Sequence, residues 1–83
     1  MSKWDKLIAR IRSLDRGLRF DEIQKVLERY GYRMYRPSGG SSHCTFRKAG
    51  HDSITIPAHE PIKLCYIISV RDVIEMEDSY END

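Results

Sequence analysis

The sequence predicts an α+β domain: a three-stranded antiparallel sheet with helices packed on one face, in the order α-α-β-β-β-α. Three observations lead there. Two early stretches carry apolar residues at helical spacing, three short alternating runs follow between turn-rich segments, and a last apolar-periodic run precedes an acidic end. A meander with one apolar face needs helices on that face and leaves the other open. The 83 residues, 40% of them hydrophobic, allow one small domain with a thin core and exclude a large cofactor fold.

The first helix is expected over Lys3–Ser13, where Trp4, Leu7, Ile8 and Ile11 recur at helical spacing, with Trp4 stapling the helix to the body. Asp15-Arg16-Gly17 breaks it. The second runs from about Phe20 to Tyr30 on a stripe of Phe20, Ile23, Val26, Leu27 and Tyr30, with Asp21 and Glu22 at its positive end and Gly31 as its stop. The period then changes to that of strands at Tyr32–Arg36, His43–Arg47 and Ser53–Ile56. Turns at Pro37–Ser42 and Lys48–Asp52 separate them, and Pro57–Pro61 forms a loop. From about Tyr66 to Glu77 a helix is expected, with Ile67, Val70, Val73 and Ile74 inward. The β-rich stretch Leu64–Ile68 also reads as a fourth strand, with Ser69-Val70-Arg71-Asp72 as a capping box for a shorter helix. The domain boundaries follow: 1–18 an N-terminal helical extension, 19–76 the main domain, 77–83 an acidic, disordered tail.

The formal net charge of +1 hides an asymmetry. The last nine residues hold five acids and no base, so residues 1–74 carry 14 bases against eight acids. From Arg29 to Lys48 there are five bases and no acid. A basic body suits a polyanion such as nucleic acid, and equally suits an ordinary solvated surface. Strand alternation puts Arg33 and Arg36, or their neighbours, on or beside the open face. The acidic end is either frayed or folded back over the basic face. No apolar run approaches the roughly 18 residues of a membrane span, and the charged N-terminus has no apolar signal core, so a cytoplasmic protein is expected. Cys44 and Cys65 are then expected as free thiols.

The densest chemical signal is Gly39-Gly40-Ser41-Ser42-His43-Cys44-Thr45-Phe46-Arg47. Glycines let the backbone approach a ligand closely, and hydroxyl and N–H groups cradle phosphate. His43 stands at a strand start, suited to moving a proton near neutral pH. Arg47 and Lys48 suit phosphate or transition-state charge. Each has a bland alternative, since a histidine beside a turn is commonly structural or merely exposed. Zinc ligation by His43, Cys44, His51 and Cys65 lacks any usual ligand spacing, so no metal and no cofactor are expected. Cys44 and His43 point to opposite faces of a strand, a poor arrangement for a thiol nucleophile. The aromatics Tyr30, Tyr32, Tyr35 and Phe46 could stack on bases, but most of them are expected in the core.

The order of these residues resembles the HicA family of bacterial toxins, the mRNA interferases of HicA–HicB toxin–antitoxin pairs. The likeness spans about Phe20 to Glu75: Leu27–Tyr32 at a helix end, the Gly-Gly-Ser-Ser-His turn, Thr45-Phe46-Arg47, Ile56-Pro57 with His59, and a last helix. Cys44 after the histidine, the extra serine and the added N-terminal helix depart from the commoner pattern. The resemblance implies a double-stranded-RNA-binding-domain-like fold, a metal-independent endoribonuclease acting on mRNA, His43 as catalytic residue, and a HicB-like antitoxin as partner. On that reading Gly39, Gly40, Ser41, Ser42, Arg36, Arg47 and Lys48 bind RNA phosphate. His59 is a candidate second acid or base, or a loop histidine capping backbone, and His51 is merely exposed. The alternative is a non-catalytic RNA-binding or antitoxin-binding module on the same fold.

Overall fold

A computed structural model describes residues 2–36 and 43–81. Its elements are α1 (Lys3–Arg12), α2 (Phe20–Arg29), β1 (Arg33–Tyr35), β2 (His43–Arg47), β3 (Ile54–Pro57) and α3 (Leu64–Glu81). The sheet has the order β1-β2-β3, antiparallel throughout. The expected α+β class and element order are therefore observed.

Local chemistry explains the boundaries. Ser2 and Asp5 form a reciprocal capping box at the start of α1. After α1, Leu14 takes a positive φ of 59°, and Asp15 accepts the Gly17 N–H at 2.7 Å. That backbone N–H, with Arg10 beside it, holds the Asp15 carboxyl below its usual range. Arg10 also donates to Glu22 at 2.9 Å, and Glu22 accepts the Arg19 N–H at 2.9 Å, so one carboxylate ties α1 to the first turn of α2. Gly31, at φ 97°, ends α2 where a side chain would be strained.

The core lies between the helices and one sheet face. Ile11 and Leu18 share it with Phe20, Ile23, Val26 and Leu27, with Cys44, Phe46 and Ile56 from the sheet, and with Ile67, Val70, Val73 and Ile74 from α3. Phe20 and Phe46 meet edge to face at 6.1 Å between centroids. Trp4 is half-buried beside Tyr30 and under the Arg29 guanidinium, which docks α1 as expected.

The C-terminal third decides the open alternative. Leu64–Ile68 is helical, not a fourth strand, because Ile67, Val70 and Ile74 sit on one buried stripe only in a continuous helix. The Lys63 carbonyl accepts the Tyr66 and Ile67 N–H groups, at 3.0 and 3.3 Å, and starts the helix there. Ser69 is thus not a cap but a mid-helix residue whose hydroxyl donates to the Cys65 carbonyl at 3.2 Å. No helix among the described residues is long and apolar enough to cross a membrane.

Candidate active site

The sheet face away from the helices is polar. On β2, His43, Thr45 and Arg47 point outward, while Cys44 and Phe46 are buried. The pairing sets Arg33 opposite Arg47, Tyr35 opposite Thr45, Thr45 opposite Thr55 and His43 opposite Pro57. Thr45 and Thr55 hydroxyls lie 3.3 Å apart across the middle of this face. Tyr35 is not in the core as most aromatics are: it stands 52% exposed, with the Arg47 guanidinium 6.0 Å from its ring centre. Arg36 is exposed just beyond β1. Gly39, Gly40, Ser41 and Ser42 lie outside the described residues.

His43 is exposed at the start of β2 and opens onto a cleft of about 180 Å³. His59, Pro61, Lys63 and Tyr66 line the same cleft. The chain reaches this point because β3 ends opposite His43, and the loop after Pro57 turns back along that edge. Two anchors fix the loop. The Glu60 carboxylate accepts the Phe20 N–H at 3.1 Å, and the Ile62 side chain is buried in the core. His59 precedes the first anchor directly. At this size, below the roughly 300–1,000 Å³ of drug-sized ligand pockets, the cleft suits a phosphate group and part of a sugar.

Arg47 does not share this cleft. It stands four steps along the strand from His43, about 13 Å at 3.3–3.4 Å per residue. It lines instead a shallow trough of about 760 Å³ at the other end of the sheet, with Arg33, Tyr35, Lys48, His51 and Asp52. Two of these side chains, Lys48 and His51, also meet an acid of α3 that does not line the trough. Lys48 Nζ is 2.6 Å from Glu77 Oε1 and lies 5.8 Å from the centre of the Tyr32 ring. His51 is not merely exposed: its Nδ1 donates to the Ala49 carbonyl at 3.1 Å, its Nε2 is 3.9 Å from Glu77, and its ring meets Tyr32 edge to face. Burial pushes the Tyr32 phenol above its ordinary pKa, against the opposing pull of Lys48.

The geometry thus unites His43 with His59 and separates both from Arg47 and Lys48. Lys63 and Tyr66 were missed in the sequence, because their place depends on where the last helix starts. Among the described residues no cluster of three His, Cys, Asp or Glu side chains could hold a metal ion, and Cys44 and Cys65 are free thiols. Compared with protein-family models, curated proteins and solved structures, the chain has no match.

Proposed function

We propose that this chain is a HicA-type toxin, an endoribonuclease that cuts mRNA in the cytoplasm without a metal and is restrained by a HicB-like antitoxin. The likeness to a double-stranded-RNA-binding domain belongs to the same proposal. One observation carries it: the histidine that follows Gly39-Gly40-Ser41-Ser42 in the sequence stands exposed at the rim of a cleft that holds a second histidine, on a sheet face bearing Arg33 and Arg47.

The chemistry follows from the substrate. RNA carries its own nucleophile, the 2′-hydroxyl. One imidazole takes its proton as the oxygen attacks phosphorus, and the second group protonates the 5′-oxygen as the P–O5′ bond breaks. The products are a 2′,3′-cyclic phosphate and a 5′-hydroxyl. His43 fills one role and His59 the other. Tyr35, Arg33 and Arg47 hold the neighbouring nucleotides, the ring by stacking and the guanidinium groups by phosphate contact. An antitoxin with acidic groups would cover this same face.

Induced expression of the parent should stop growth, and His43→Ala should relieve it while the fold, judged by thermal midpoint, is unchanged. A His43→Ala protein that degrades RNA at the parental rate excludes the role. A parent as harmless and as inert toward RNA as the variant indicates the non-catalytic binding module.

A further inference from the structure

We infer that the cleft between His43 and α3 is a phosphate-binding site whose cation is Lys63. This rests on the ribonuclease reading and adds the group that reading lacks. A pentacoordinate phosphorus gathers negative charge on its non-bridging oxygens, and catalysis needs a fixed positive charge there. Neither histidine supplies it throughout, because the one acting as base starts neutral and the one acting as acid gives up its proton, and with it its charge, to the 5′-oxygen. The cations proposed from the sequence stand elsewhere. Lys48 is held by Glu77 at 2.6 Å, and Arg47 projects toward Tyr35. Among the described residues that line the cleft, Lys63 is the single lysine or arginine, and no carboxylate lines it to compete for the ammonium.

The backbone is built to hold Lys63 in place. Its carbonyl accepts two N–H groups of the first turn of α3, at 3.0 and 3.3 Å. On its other side, Ile62 is buried among core residues. The side chain is exposed, so it can swing onto an incoming anion without leaving a buried charge behind. Tyr66, in the first turn of α3, lines the cleft and packs against the core. The ligand class is a phosphodiester bridging two nucleosides: the volume takes the phosphate and a ribose edge, while the bases extend along the open sheet.

The test uses two readouts on the full chain. In the first, inorganic phosphate is titrated while the ring signals of His43 and His59 are followed by NMR. Both should shift in the parent and in Lys63→Arg, and the apparent affinity should fall at least tenfold in Lys63→Ala. In the second, RNA cleavage is measured at saturating substrate. Lys63→Ala should lower kcat about 10²–10³-fold, as loss of one transition-state contact does, with KM changed far less and Lys63→Arg restoring most of the rate. Lys63→Met serves in place of the alanine variant should that one fail to fold. Phosphate shifts that are the same with and without Lys63, or cleavage within twofold of parental in Lys63→Ala, overturn the inference while leaving the ribonuclease reading intact. Lys63-dependent phosphate binding by a parent that cuts no RNA upholds the site and removes the ribonuclease reading instead.

Discussion

At one end of the sheet His43 shares a cleft with His59 and Lys63, and no carboxylate lines it among the described residues; at the other end, beside the β2–β3 hairpin, His51 and Lys48 both meet Glu77 of α3. Residue types are nearly the same at the two ends. What separates them is one carboxylate, brought from α3 across 29 residues of sequence to Lys48. A histidine and a lysine side by side are therefore not a site in themselves. The same pair is held by an acid at one end and faces none across its cleft at the other.

The largest expected effect contrasts the two histidines. His43→Ala should lower RNA cleavage about 10²–10⁴-fold, the usual worth of a general acid or base, whereas His51→Ala should leave the rate within a few-fold. Equal losses in the two variants would erase the distinction between the ends. Next comes Tyr35, which stands between them. In a His43→Ala background that stops turnover, Tyr35→Ala should weaken binding of a single-stranded RNA by about 1–3 kcal/mol, the worth of one stacked base, and Tyr35→Phe should not. Fluorescence anisotropy of a labelled oligonucleotide reads this directly.

A smaller effect belongs to the anchor of the His59 loop. Glu60→Ala removes the acceptor of the Phe20 N–H and should cost about 0.5–2 kcal/mol in chemical denaturation, as loss of a helix cap does. Glu60→Gln, which keeps a carbonyl oxygen, should recover most of that. The smallest effect is at the far end. Glu77→Gln releases Lys48, so RNA binding should tighten a few-fold, and the plot of log affinity against log salt should steepen by roughly 0.7, one more phosphate contact on a single strand. An unchanged salt slope would mean that Lys48 does not meet the nucleic acid even when released.

Much of this arrangement was legible in the chain, and the parts that were not have two causes. α1, α2 and the Gly31 stop follow from spacing within ten or so residues, and β2 matched its expected bounds because alternation from His43 to Arg47 is unbroken. The start of α3 was ambiguous because Leu64–Ile68 is rich in residues that serve strands as well as buried helices, and only packing against the core chooses between them. His59 could be proposed as a partner for His43 because the strand exit pointed that way. Lys63 and Tyr66 could not, since their position follows from a helix boundary the sequence left open. The Glu77 contacts were illegible for a different reason: no local pattern links an acid near the end of the last helix to a hairpin turn.

The pairing of β2 with β3 has a consequence for how such a protein tolerates change. Cys44 faces inward opposite Ile56, so the neighbouring imidazole is committed to the outer surface, in register with Pro57 of β3 and on the same face as Thr45 and Arg47, which pair with β1. If a single residue inserted between Arg47 and Ile54 shifts the ladder by one, the thiol turns outward and the imidazole is driven among aliphatic side chains. The hairpin between β2 and β3 thus sets which face of the sheet the imidazole occupies.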